Sequence, residues 1–491
     1  MSQVNVCFFS IWERTETWIA TGKKLAENGV QVFHVVTPRE YFDMCLANGV
    51  PKENILWLRI DDALAAPLDT ESLDRIRHYE EITGISLKNY LMMDRFLRTR
   101  PWEEMIKYAA YCFRRIHDFL DKNDVRFCSG EPSDTHDLVA MLICRATGRH
   151  YGAPFDIRFP VNRFVLWDSE IEATPFITAA KTPNDVSPEM LELAAEARNK
   201  ILNRQRMQHL AVKRKAPSIG LKFISRVTRG VIYRAAVRSK HDGHMYTVKS
   251  VLFDLKYHMI PINYRRNKLQ WDRLFEKPVE GEKFVLYTLN YQPEHSIDVE
   301  SPHWMNAYEV VKSISRMLPV DTRLYIKEHP SALGIRSPQY LKMMKRLPGV
   351  RLIDPYVDSH DLLTKAVLTV SLTGTICVEA AMYGKPAAII SDTFIGLFST
   401  VRVLSHPREV ADLLRKPPPV HDLDHDLRVM AWMLENAHEG TIVDRITNPI
   451  GTSEENIKLV SQGYMRVINA ISDGRIQPRP LLDGTQPCPA S

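Results

Sequence analysis

The 491-residue chain contains no apolar run of the roughly eighteen residues that a membrane-spanning helix requires, so no segment is expected to cross a bilayer. Cysteine is sparse and unpatterned. The seven residues, Cys7, Cys45, Cys112, Cys128, Cys144, Cys377 and Cys488, include no C-x-x-C pair and form no even framework. That pattern excludes a disulfide scaffold and zinc-type spacing, and predicts the reduced thiols of a cytoplasmic protein. The opening MSQVNVCFFSIWERTET has no basic n-region, and its apolar run is too short for a signal peptide. Repeats of about 20–50 residues, the mark of solenoids, are missing as well. Acidic residues are absent altogether from Asn199 to Lys240.

What is present is the composition of a soluble globular chain, 45% apolar and 25% charged, with a net charge of +5 that singles out no partner. The length calls for at least two cores. Near the start, a buried-strand run from Val4 to Ile11, an amphipathic helix from Trp18 closed by Gly29, and the run VQVFHVVT make a strand–helix–strand unit. A strand from Asp124 to Gly130 and the helical HDLVAMLICRATG repeat the alternation. The second half repeats it again. Strands are expected at Lys283–Leu289, Arg323–His329, Val350–Pro355, Ala366–Leu372 and Pro386–Ile390, with helical patterns such as WMNAYEVVKSISRML, SHDLLTKA and TICVEAAMYG between them. Such alternation predicts an α/β chain with two doubly wound, Rossmann-like domains and a cleft between them.

The expected spans are 1–180 for the first domain, 181–275 for a basic helical insertion, 276–450 for the second domain, 451–473 for a C-terminal helix and 474–491 for a disordered tail. The insertion carries twelve Lys and Arg between Asn199 and Lys240, while Ile219, Phe223, Val227, Val231 and Ile232 share one helical face. A basic amphipathic helix of that kind suits an anionic membrane surface, each cation contributing on the order of 1 kcal/mol. The alternative is a helix packed on its own domain with a solvated basic side. Too few aromatics interleave the charges for nucleic acid to be a partner.

In an open parallel sheet, ligands bind where the strands end. After Leu289 come Asn290, Tyr291, Gln292, Pro293, Glu294, His295 and Ser296; after Ile326 come Lys327, Glu328, His329 and Pro330; after Leu372 come Thr373, Gly374 and Thr375, opening a helix. Hydroxyls and backbone N–H groups at a helix start make an anion site, and Gly374 allows close backbone approach. Glu379, one turn on, is placed to accept from ribose hydroxyls, and His329 to meet a phosphate oxygen. Each has a plainer reading as a cap, a turn or a surface residue. In the first half, the stretch GEPSDTH following a strand supplies Glu131, Asp134 and His136. Glu131, nearest the strand end, is the first choice for a general base, and Asp134 reads equally well as a helix N-cap. Arg158 and Arg163 are candidates for pairing with an anionic substrate or with nearby acids. HDLDHD, His421 to Asp426, mimics a metal cluster but suits the acidic start of the helix that follows, so no metal site is expected.

YTLNYQPEHS, LYIKEHP and SLTGTICVEAAMYGKPAAI taken together resemble bacterial capsule and surface polysaccharide biosynthesis glycosyltransferases. That group includes Kdo transferases and is distantly similar to bacterial sialyl- and polysialyltransferases. The resemblance is strongest from Lys283 to Ile390. It implies a GT-B fold and metal-independent transfer from a nucleotide sugar, CMP-Kdo or a related CMP-sugar, to a surface glycan at the cytoplasmic membrane face. His329 and Pro330 would fill the His-Pro motif, Ser371, Thr373 and Thr375 the Ser/Thr motif, and Glu131 or Asp134 the role of base. Two other readings use the same plan. A UDP-sugar 2-epimerase shares the Gly-Lys-Pro turn, and a non-catalytic glycan- or membrane-binding scaffold would bind nucleotide without transfer.

Overall fold

The computed structural model describes residues 4–10, 14–159, 162–204, 260–292, 294–445 and 448–482. The membrane-surface expectation for Asn199 to Lys240 lies almost wholly outside them. The chain divides into two compact units, one of Met1–Asp185, Ala235–Ser250 and Trp432–Ser491, the other of Val186–Arg234 and Val251–Ala431. Each is built on a parallel sheet, and the fold is the doubly wound α/β, GT-B-like plan.

The first unit contains β1 (Asn5–Ser10), β2 (Val32–Val36), β3 (Ile55–Trp57), β4 (Val125–Ser129), β5 (His150–Asp156) and β6 (Arg163–Trp167). The second contains β7 (Phe284–Thr288), β8 (Arg323–Lys327), β9 (Val350–Ile353), β10 (Leu368–Ser371), β11 (Ala387–Ile389) and β12 (Val401–Val403). A last short strand, β13 (His438–Glu439), returns to the first sheet, whose order is β13-β6-β5-β4-β1-β2-β3. The second sheet runs β12-β11-β10-β7-β8-β9, parallel throughout. Only β6 and β13 break the parallel pattern. Strands such as β1, β7 and β8 read as continuous apolar runs because helices cover both faces of a parallel sheet.

The division differs from the expected spans: 181–275 is no separate unit but is shared between the two, and the C-terminal boundary moves. The chain leaves the second unit near Trp432, well before 450, and its last helix is a structural part of the first unit. The helix Glu454–Ser472 lays Val460, Tyr464, Val467, Ile468 and Ile471 into the core formed by Phe8, Trp18, Leu25 and Phe127. Phe8 and Trp18 stack at 5.2 Å, and the Tyr464 ring meets both edge-on at 5.2 and 6.0 Å. Ser129 Oγ donates to the Gly152 carbonyl (2.7 Å), so the Tyr464 hydroxyl donates to Ser129 Oγ (2.8 Å). Asn436 is buried and fastens the returning chain, accepting from the N–H groups of Thr178 and Ala179 and donating to Ala180 O.

The tail expectation is corrected over the described residues 474–482. Gly474 (φ +70°) turns the chain, Ile476 enters the same core, and Leu482 N–H donates to Ile82 O at 3.0 Å. The buried Ile476 and the backbone bond of Leu482 hold this stretch despite the Pro- and Gly-rich composition that suggested disorder.

Replacing Tyr464 by Ala should destabilise the first unit by about 3–5 kcal/mol, the range for emptying an aromatic site. Tyr464→Phe, which loses only the hydroxyl contact, should cost about 1 kcal/mol. Urea unfolding of both variants checks the order; equal costs would mean the ring does not anchor the helix.

Candidate functional site

Strand order reverses once in each sheet, and the reversal is where a pocket forms at the carboxyl edge. In the second unit, β7-β8-β9 proceeds one way and β10-β11-β12 the other, so the switch falls between β7 and β10. The loops that follow these two strands meet there. Asn290 Nδ2 donates to Thr373 Oγ1 (3.4 Å), and that hydroxyl donates to Ser296 O (3.3 Å). Ser371 Oγ accepts the Gly374 N–H at 3.0 Å, and a Cβ on Gly374 would run into that hydroxyl. The backbone N–H of Gly374, expected to be open to a ligand, is therefore used within the turn. Thr375 occupies the N-cap position of the helix Ile376–Met382, and its side chain makes no capping bond.

The loop after β8 is fastened to the same place. Arg336 donates to Glu328 Oε1 and to Asn290 O, each at 2.5 Å, while Glu328 Oε1 also accepts the His329 N–H at 2.8 Å. The pair is nearly dry, with side-chain exposures of 1% for Glu328 and 9% for Arg336. Burial works against the Arg336 charge, and Glu328 more than restores it. His329 is half-buried with its ring against the edge of Tyr291, centroids 6.3 Å apart, and Pro330 is buried behind it. The structure thus brings His329, Pro330, Asn290, Thr373, Gly374 and Thr375 to one edge of the sheet.

Four residues of the expected set have other occupations. Lys327 is buried and donates to Pro355 O (2.9 Å), bracing the end of β8. Gln292 Nε2 donates to Met305 O (3.0 Å), and Glu294 is exposed and accepts from Ser296 Oγ (3.0 Å). Glu379 pairs with His360 Nε2 at 3.1 Å instead of standing open for a ribose. Tyr383 donates its hydroxyl to Leu202 O (3.0 Å), so it accepts from His360 Nδ1 (3.2 Å). With both ring nitrogens donating, His360 is held as the imidazolium. The hydrogen bond to Glu379 raises its pKa above the ordinary 6.5, against the pull of burial.

The first unit switches between β4 and β1. Gly130 and Glu131 follow β4, and the helix Arg14–Glu27 follows β1; Arg14 and Glu131 form an ion pair at this edge, exposed by 22% and 18%. Glu131 alone of its expected trio is partly exposed, for Asp134 and His136 are buried. Asp134 does stand at the N-cap position of the helix Thr135–Ala146, but its side chain makes no capping bond. Asp94 caps instead, taking the N–H and Oγ1–H of Thr135 at 2.9 and 2.8 Å. His136 lies against Asp137, Nε2 to Oδ2 3.4 Å. Asp137 also accepts the Tyr151 hydroxyl (3.0 Å), and burial first, then Asp134, pushes its carboxyl well above the usual range. A Cβ on Gly130 would lie 2.6 Å from Asp137 Oδ1 and 2.7 Å from Phe9 Cβ, so this turn requires glycine. Sequence reasoning missed Arg14, Asp94, Arg336 and His360. Arg14 alone was within reach of the strand-end rule, since it follows β1.

Elsewhere, Arg163 pairs with Glu439 (3.4 Å). The acidic residues of HDLDHD serve their helix and its neighbours: Asp422 accepts the His425 N–H, and Asp426 the N–H and hydroxyl of Ser399.

No protein-family model matches the chain, and no curated protein matches it in sequence. Among solved structures it is similar to KpsC of Thermosulfurimonas dismutans. The beta Kdo 2,4 transferase of that protein is 14% identical, with 71% of this chain and 87% of the other covered and a TM-score of 0.37. The beta Kdo 2,7 transferase gives 14%, 72%, 89% and 0.32 in the same order. UDP-GlcNAc 2-epimerase from Neisseria meningitidis, bound to UDP-GlcNAc, is 13% identical over 95% of this chain and 100% of its own, with a TM-score of 0.23. These scores are low, and the strand order above, not the likeness, carries the fold.

Two outcomes follow from the geometry. Arg336→Ala strands a buried carboxylate and should cost about 3–5 kcal/mol in chemical denaturation, with Arg336→Lys recovering part of it. For His360, the folded pKa is raised, so its contribution to stability is fully present below about 6.5, the unfolded value, and is lost as pH rises through the folded one. Thermal unfolding from pH 6 upward (roughly) should therefore decline more steeply in the wild type than in His360→Gln. Identical slopes would show the pair to be uncoupled from folding.

Proposed function

We propose that the protein is a glycosyltransferase that moves a sugar from a nucleotide-sugar donor to a capsular or other surface polysaccharide. The observation that carries the reading is the convergence of His329, Asn290, Thr373 and Thr375 at the switch point between β7 and β10. In this reading the second unit holds the donor. His329 meets a phosphate oxygen, the Thr375 hydroxyl stands at the start of its helix, and Gly374 lets the turn fold back onto Ser371. Charge that develops on the departing nucleotide is stabilised by these groups, with no metal assigned to the step.

Glu131 is the proposed base, deprotonating the acceptor hydroxyl as the sugar–phosphate bond breaks. Arg14 is its ion-pair partner and must yield the carboxylate, at least in part, to the acceptor. A CMP-sugar is the favoured donor, by the resemblance of the His-Pro and Ser/Thr segments. Asn199 to Lys240 is proposed to rest on the anionic inner face of the cell membrane, bringing the enzyme to its acceptor.

The deciding experiment is thermal unfolding with CMP, CDP, UDP and GDP, with and without magnesium. A ligand at a hundredfold over its Kd stabilises by about 2.7 kcal/mol. The expected result is a shift with CMP independent of metal, absent in His329→Ala. That variant should lose transfer on the order of a hundredfold or more while remaining folded. Glu131→Gln should keep the shift and lose rate on a similar scale. A shift with UDP, accompanied by release of a free epimerised sugar nucleotide without acceptor, would establish the epimerase reading instead. Nucleotide binding without transfer to any acceptor would leave a scaffold.

A further inference from the structure

The first unit has a cavity of about 220 Å³ at the sheet edge opposite to Glu131. Its position follows from topology. His150 opens β5, which runs parallel to β4, and Asp168 to Glu170 follow β6, which runs antiparallel to β5. Arg145 reaches it from the last turn of the helix Thr135–Ala146, whose twelve residues span about 18 Å. The near wall is the C-terminal segment with Arg475 and Arg479, held down where Leu482 bonds Ile82.

The charges in this cavity balance. Arg149 is used up, donating to Val125 O, Thr147 Oγ1 and Asp121. Arg475 is held by Asp473 at 3.3 Å. Arg145 and Arg479 remain, facing Asp168 and Glu170. Arg479 and Asp168 stand 3.7 Å apart, an ion pair beyond hydrogen-bond reach. Arg145 Nε is buried with no acceptor, and Asp168 Oδ1 is buried with no donor. Burial is also the leading cause that pushes Asp168 above its ordinary pKa and Arg145 below its own. A dry donor and a dry acceptor left unused, in a site with no net charge, call for a neutral ligand rich in hydroxyls. Phe176, with the His150 ring edge-on at 6.3 Å, and Tyr90 supply flat faces for a C–H surface.

We propose that this cavity is a binding site for one neutral sugar residue, held by Asp168, Glu170, Arg145 and Arg479 through its hydroxyls. Its volume lies below the roughly 300–1,000 Å³ of sites for drug-sized ligands, which suits a single ring rather than a nucleotide sugar. The site stands on the first unit alone and does not depend on what the second unit binds. If the glycosyl-transfer reading holds, it gives the enzyme a grip on a glycan remote from Glu131.

Calorimetric titration of the full chain with methyl glycosides of glucose, galactose, mannose and N-acetylglucosamine tests the site, with glucuronate and glucose 6-phosphate as the anionic arms. At least one neutral glycoside should bind, and the two anions should bind more weakly. Asp168→Asn and the half-exposed Arg479→Gln should weaken binding about tenfold to a hundredfold, with unfolding midpoints and any nucleotide-induced shift retained. Failure of every neutral glycoside at tens of millimolar (roughly), tighter binding of either anion, or full affinity in both variants would overturn the proposal. Loss of the nucleotide shift with glycoside binding intact would count against the proposed donor site and leave this one standing.

Discussion

Parallel pairing makes every strand of a sheet finish at the same edge, and a single reversal of strand order leaves a gap there that the flanking helices do not close. That constraint organises both units. In each, two loops that are distant in sequence are brought side by side at the reversal, and whatever polar groups follow the strands are gathered there. Thr373 reaches the loop after β7 and Arg14 reaches the loop after β4 for the same geometric reason. Helices on both faces keep the rest of each sheet dry, so the carboxyl edge is where polar chemistry is tolerated.

The elements that were legible in the sequence are those whose signal is local. β1, β4, β7, β8 and β10 are largely buried and appear as apolar runs stopped by polar clusters, so their ends, and with them His329, Thr373 and Glu131, were found from residue order alone. β12 and β13 carried no such mark. Val401–Val403 has two exposed residues of three, and His438–Glu439 is a two-residue strand whose partner is Phe164, far back in the chain. The return of the last sixty or so residues to the first unit was hidden for the same reason, since the amphipathic face of Glu454–Ser472 shows that the helix packs without showing on which core.

Within the candidate site, residue type was legible and partnership was not. Asp134 sits where local pattern puts an N-cap, yet the capping carboxylate is Asp94, brought in from forty-one positions away by the packing of a neighbouring segment. Glu379 lies one turn from Thr375, as a ribose acceptor would, but His360 takes it. A carboxylate at a given place in the chain is consistent with a ligand contact, a cap or an ion pair. Which of these it makes depends on the nearest cation or N–H in three dimensions, and that information is long-range.

The two arginine–glutamate pairs at the switch points differ in burial, and burial sets how freely each can change partners. Glu328 and Arg336 are almost fully withdrawn from water, and each holds a further backbone group, the N–H of His329 and the carbonyl of Asn290. Separating them would leave two charges without solvent, at a cost of several kcal/mol, so no ligand competes with that pair and its role is to set the loops. Glu131 and Arg14 keep about a fifth of their surface in water. A pair of that kind is worth only about 0–1 kcal/mol net, because solvent stands ready to take up either charge. Either group of that pair can therefore exchange its partner for water at little expense. The same residue types thus brace one edge and leave a carboxylate able to change partners at the other, and solvent access decides which.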